Sequence, residues 1–136
     1  MLRRCNPERN YDMKMISTLI HGVLDYIVGI ALLLAPNLLG FAEVGGAAVM
    51  VPRLVGLLIL GQALMTAYEL GVLKMLPVKA HLMNDYVVGL FLAVSPWIFG
   101  FSHRANNVWL PHVLVGLVIL GTTAMTETKA PVRATR

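Results

Sequence analysis

Shifted by 60 positions, the 136-residue sequence lies over itself without a gap. His21, Asp25, Tyr26, Val28, Gly29, Leu32, Pro36, Gly40 and Phe41 fall on His81, Asp85, Tyr86, Val88, Gly89, Leu92, Pro96, Gly100 and Phe101. Further on, Val55, Gly56, Leu57, Ile59, Leu60, Gly61, Met65 and Thr66 fall on Val115, Gly116, Leu117, Ile119, Leu120, Gly121, Met125 and Thr126. A match over two separate apolar stretches is a duplication rather than chance hydrophobicity, so the fold must be assembled from two copies of one unit. Each unit holds two apolar runs joined by a short connection containing Gly, Pro or Asn, and the runs cover roughly 16–39, 51–70, 80–99 and 109–126. Runs near ~20 residues suit helices that cross a hydrocarbon layer, whereas barrel strands need alternating segments of ~10 residues. A helix also satisfies its own backbone in lipid. The predicted fold class is all-α, an integral membrane four-helix bundle built from two tandem transmembrane helical hairpins.

Composition agrees. Only 13% of residues are charged and 57% are hydrophobic, against about 25% charged in ordinary soluble domains. Seven acids and eleven Lys or Arg are too few to coat a soluble globule, which excludes a soluble enzyme domain. The chain divides into a polar N-terminal tail (1–14), a first two-helix repeat (15–70), a cytoplasmic connection (71–78), a second repeat (79–127) and a basic C-terminal tail (128–136). The start also invites a signal-peptide reading. The second copy is internal and cannot be a leader, so the first is expected to be a mature membrane hairpin as well. Cys5 is the single cysteine, which leaves no intramolecular disulfide and no Cys/His zinc pattern.

Net charge is +4, but the basic residues are not interleaved with aromatics, so nucleic acid is not an expected partner. Their distribution reads as topology. Arg3, Arg4, Arg9 and Lys14 precede the first span, Lys74 and Lys79 lie between the second and third, and Lys129, Arg133 and Arg136 follow the fourth. Only Arg53 and Arg104 fall at the opposite ends. The positive-inside rule then puts both termini in the cytoplasm, with the bacterial inner membrane as the expected location. Two hairpins of equal orientation should be related by a pseudo-twofold axis along the membrane normal.

The second copy contains Asn84-Asp85-Tyr86-Val87-Val88-Gly89-Leu90 and then Ser95-Pro96-Trp97-Ile98-Phe99-Gly100-Phe101. These stretches, with the two-copy layout from about Lys14 to Thr126, resemble the SPW-repeat family of small membrane proteins. That family is named for a Ser-Pro-Trp motif in the first helix of a two-helix repeat. The first copy departs from it, with Ala35-Pro36-Asn37 in place of the tripeptide. The resemblance implies architecture and location and supplies no reaction. Physically, Pro36 and Pro96 predict a kink or stop near Ala35 and Ser95. Trp97 is expected at the outer interface, and Phe41 and Phe101 are expected to dip back toward lipid.

The repeated His-x-x-x-Asp-Tyr puts His21 with Asp25, and His81 with Asp85, on one helix face each. Gln62 and Thr66, repeated as Thr122 and Thr126, should lie at the same depth on the returning helices. Three chemistries are open to this layer. His and Asp can pair within their own helix, bond to Gln62 and Thr122, and lock the hairpins together. They can line a cytoplasmic cavity that relays protons or binds a small polar solute. A two-His, two-carboxylate metal site has suitable ligands, but both residues of each helix would have to turn inward. The lock is the expected reading, with no metal and no cofactor. His103 and His112 are expected to be exposed loop residues, Glu43 to pair with Arg53, and Glu69 to be an interfacial charge. Gly29 and Gly89 should permit close helix approach, as should Gly56 with Ala63. Pro52 and Pro111 are placed near helix starts. With no nucleophile elbow or phosphate loop, the expected role is a non-enzymatic structural or partner-binding membrane component. Its partners would be the bilayer and a second copy or another membrane protein. The rival is a small proton-coupled or polar-solute translocating protein.

Overall fold

The computed structural model describes residues 15–128. Both tails fall outside the described residues apart from Thr128, and with them Cys5 and the tail cations. Four helices follow one another: α1 (Thr18–Leu38), α2 (Gly46–Met65), α3 (Val78–Ile98) and α4 (Asn106–Ala124), with a 3-10 turn at Ala42–Val44. α1, α2 and α4 are each long and apolar enough to cross a membrane. α3 is as long as α1, but Lys79, His81, Asn84 and Asp85 lower the hydropathy of its first turns.

Two antiparallel hairpins result, α1 with α2 and α3 with α4, packed far more extensively within each hairpin than between them. Glycines set the closeness. A Cβ on Gly56 would stand 2.7 Å from the Gly29 carbonyl oxygen, and one on Gly116 would stand 2.6 Å from that of Gly89. Gly29 and Gly89 permit close approach as expected, and each meets a glycine of the partner helix, Gly56 or Gly116, at equivalent places in the two repeats rather than through a Gly56–Ala63 stripe. Leu32, Val55, Ile59, Val88, Leu92 and Ile119 form the core where the hairpins meet.

Pro36 and Pro96 do not stop their helices. Each helix runs two residues further and ends where Gly40 and Gly100 take φ of 70° and 71°. Phe41 N–H donates to the Pro36 carbonyl at 2.9 Å and Phe101 N–H to that of Pro96 at 2.8 Å, the long bond of a Schellman cap. Pro96 cannot donate to the Leu92 carbonyl four residues back; the Ser95 hydroxyl does so instead, at 2.8 Å. The serine of the tripeptide therefore repairs a bond that its proline removes. Phe41 and Phe101 turn inward, contrary to expectation, and are buried with Ala48, Val49 and Val108 at this end of the bundle. The Schellman turn draws them back over the helix end. Trp97 is 59% exposed and meets Trp109 edge-on at 6.1 Å.

α2 begins earlier than the sequence reading placed it, because the Gly45-Gly46 turn starts a helix through the small residues Ala47 and Ala48. Pro52 and Pro111 consequently lie inside α2 and α4 rather than at their starts. Pro52 leaves the Ala48 carbonyl without its helical donor, and His112 Nε2 donates to it at 3.1 Å. His112 is therefore a buried packing residue on α4, correcting its assignment to an exposed loop. Arg53 bonds Asn37 Oδ1 at 2.8 Å and, among the described residues, makes no ion pair with Glu43.

At the other end the connection folds back beneath α2. Val72 and Leu73 N–H groups donate to the Leu64 carbonyl, and Met75 and Leu76 N–H groups to that of Met65, so the final carbonyls of α2 are satisfied. Two parallel bridges follow, Thr66 with Leu76 and Ile16 with Thr126. Leu76 is Ile16 shifted by 60 and Thr126 is Thr66 shifted by 60. In both cases the residue ahead of a repeat's first helix pairs with the residue that closes the other repeat. The two hairpins thus point the same way and are related pseudo-symmetrically.

Candidate functional site: a four-residue His/Asp cluster

His21 and His81 are each the fourth residue of their helix, and Asp25 and Asp85 the eighth. A helix rises ~1.5 Å per residue, so the acids lie about 11 Å from the helix starts. Residues four apart share a face, and in both α1 and α3 that face turns toward the opposite hairpin. All four side chains are buried, and one ligand-type atom from each lies within 4.8 Å of the others.

The contacts cross between repeats. His21 Nε2 lies 3.0 Å from Asp85 Oδ2 and 3.4 Å from Asp25 Oδ1. His81 Nε2 lies 3.1 Å from both Asp25 Oδ2 and Asp85 Oδ2, yet it hydrogen-bonds neither. The expected pairing within each helix is present only as part of a four-membered group.

The outward nitrogens are held by threonines. Thr66 and Thr126 spend their hydroxyl protons on the Gln62 and Thr122 carbonyls, both at 2.6 Å. Each hydroxyl oxygen can then only accept from imidazole. His81 Nδ1–H donates to Thr66 at 2.7 Å and His21 Nδ1–H to Thr126 at 2.8 Å. Each of these two histidines is thus oriented by the threonine that closes the other repeat and bridges to the residue just ahead of the histidine's own helix, and Nε2 faces the centre.

The carboxylates have unequal supports. Gln62 Nε2 donates to Asp85 Oδ1, and Asn84 Nδ2 donates to Gln62 Oε1. Asp25 instead accepts from Tyr68 Oη at 3.2 Å. Burial first, then the Asp25 carboxylate, raises the Tyr68 phenol well above its ordinary pKa and keeps it a donor. Thr122 does not join the cluster. Its hydroxyl bonds the Val118 and Ile119 carbonyls of its own helix, because it is too short to reach where Gln62 reaches in the first copy.

Sequence reasoning missed Tyr68, which lies beyond α2 in the connection. Its ring fills the space over Gly22, where a Cβ would stand 2.1 Å from Tyr68 Cε2. The second copy has Leu82 at that position, and this mismatch, among the others in the repeat, was the available signal. Glu69, expected as a bare interfacial charge, accepts from the Thr18 hydroxyl at 2.8 and 2.9 Å.

With the repeat and its reciprocal geometry established, comparison with known proteins is decisive at the family level. The profile of the SPW repeat domain matches residues 19–126. The chain belongs to the SPW repeat family. Neither the curated proteins nor the solved structures contain a match. Within the SPW repeat, the named tripeptide sits at the end of the bundle opposite the cluster. Ser95 and Pro96 act on helix backbone there, and Trp97 lies on the surface.

Proposed function

We propose that this SPW repeat protein is a non-enzymatic structural component of a bacterial inner membrane. In this reading it is a pair of hairpins clasped at one end, offering its apolar outer face to lipid and to a second copy or another membrane protein. The closure of the cluster carries the proposal. Apart from His81 Nε2, its polar side chains bond one another or their threonine, glutamine and tyrosine neighbours, and the cavity beside them measures about 30 Å³, room for about one water and too little for a polar solute. A clasp is useful where hairpin-to-hairpin packing is thin. In lipid, polar contacts between helices contribute ~0.6 to 2 kcal/mol each.

The translocation alternative is tested by flux. In liposomes carrying an internal pH dye, wild type and the Asp25→Asn plus Asp85→Asn double variant are expected to leak protons no faster than empty vesicles. Wild-type flux that the double substitution abolishes would overturn the scaffold in favour of a relay.

Nine of eleven cations lie on the side of the termini and the middle connection, which supports a cytoplasmic placement for both ends. Green fluorescent protein fused to the C-terminus should fluoresce, and alkaline phosphatase fused there should remain inactive. An active phosphatase fusion would reverse the orientation.

A further inference from the structure

We propose that His21, Asp25, His81 and Asp85 form a closed, four-ligand site for a divalent transition ion of the zinc type. The assignment adds an occupant to the clasp described above and rests on that clasp.

Spacing is the first support. A tetrahedral ion with bonds of about 2.0 Å sets neighbouring ligand atoms about 3.3 Å apart. The four Nε2-to-carboxylate separations are 3.0, 3.1, 3.1 and 3.4 Å. Four of the six edges of such a site, counting Asp25 through either oxygen, are thus already near the required length, and one ligand atom from each residue lies within 4.8 Å of the others.

Proton placement is the second. Thr66 and Thr126 take the Nδ1–H of each imidazole, which leaves Nε2 as the inward atom. An imidazole with one nitrogen donating to a fixed oxygen and the other aimed at an anionic centre is the arrangement of a metal-ligating histidine. His81 Nε2 supplies an independent sign. It is fully buried, directed at the centre and without a hydrogen-bond partner. A metal cation at the centre would satisfy its lone pair and the facing carboxylates together.

Charge and ligand type select the ion. Two carboxylates and two neutral imidazoles carry a charge of −2, which one divalent ion cancels in a region poor in water. Two nitrogens and two oxygens suit zinc or a neighbouring first-row ion. Four protein ligands are too few for calcium, which takes six to eight oxygens. With every tetrahedral position supplied by the chain, no place remains for an activated water, so the ion would cross-link α1 to α3 rather than catalyse.

The test uses full-length protein in detergent, stripped with a chelator, dialysed against zinc and freed of excess metal. Wild type is expected to hold about one zinc per chain by elemental analysis, and cobalt in its place should give the intense visible bands of a tetrahedral site. His81→Gln should fall below about a tenth of that stoichiometry while keeping wild-type helical circular dichroism. Thr66→Val keeps all four ligands and removes only the Nδ1 partner, so it covers the case in which His81→Gln does not fold. Its zinc affinity should drop about 10- to 100-fold. Stripped wild type that takes up no zinc overturns the proposal, as does full stoichiometry in folded His81→Gln or unchanged affinity in Thr66→Val. Zinc-free wild type that also shows no flux would leave the scaffold standing without its ion, so the two failures are separable.

Discussion

Protein carrying Asp85→Leu is expected to lose about 3–5 kcal/mol of stability, the usual cost of removing one partner from a buried charged pair. Asp85 is 2% exposed, faces both imidazoles at 3.0 and 3.1 Å and accepts from Gln62. Leucine has its branched shape but leaves His21 Nε2 and the Gln62 amide without their partner and removes the carboxylate that faces His81. In detergent the variant should unfold at markedly lower temperature, whereas Thr122→Val should stay within about 0.5 kcal/mol of wild type. The contrast is informative because Gln62 and Thr122 are equivalent by sequence, while Thr122 bonds only its own helix. Equal stability of Asp85→Leu and wild type would show that the cluster does not hold the hairpins together.

Gly116→Val should be comparably severe for a different reason. A Cβ there would lie 2.6 Å from both the Gly89 carbonyl oxygen and the Ala93 amide nitrogen, and 2.8 Å from Ala93 Cβ. These are backbone atoms and a methyl of an adjacent helix, none of which can rotate away. α3 and α4 would have to separate, at about 3 kcal/mol or slightly more. Gly121 is the control, since a Cβ at that position meets nothing within 4 Å. Gly121→Val should unfold near the wild-type midpoint, and a Gly116→Val protein that did the same would refute close packing within the second hairpin.

Much of this fold could be read before any coordinates. The repeat and the run lengths specify four helices in two hairpins, and the recurrence of Gly29 and Gly56 as Gly89 and Gly116 marks where the helices touch. Helical spacing also places His21 beside Asp25 and His81 beside Asp85. What spacing cannot supply is the rotation of α1 against α3, and that rotation decides whether two stripes face apart or merge. The requirement that all four side chains turn inward looked demanding in sequence. The structure meets it because the bridges at Thr66 and Thr126 fix both helices at the same height. Other errors share one cause. His112, Phe41 and Phe101 lie at helix ends or near prolines, where local backbone repair rather than periodicity sets the direction of a side chain. Tyr68 was out of reach because it acts from a connection folded back over Gly22.

The exchange of threonines between repeats bears on what half of this molecule could be. A lone 60-residue hairpin would contain one half of the cluster's His/Asp set and a threonine placed for someone else's imidazole, so it could complete the cluster only by meeting a twin. The present chain is therefore a covalently joined dimer. Its middle segment makes that meeting intramolecular, replacing a concentration-dependent encounter in the bilayer with one at millimolar effective concentration. Fusion also frees the halves to differ, and they have done so where it is chemically visible: Gln62 against Thr122 and Tyr68 against Thr128 give the two aspartates different neighbours. The joined molecule thereby distinguishes two carboxylates that a pair of identical hairpins would have to treat alike.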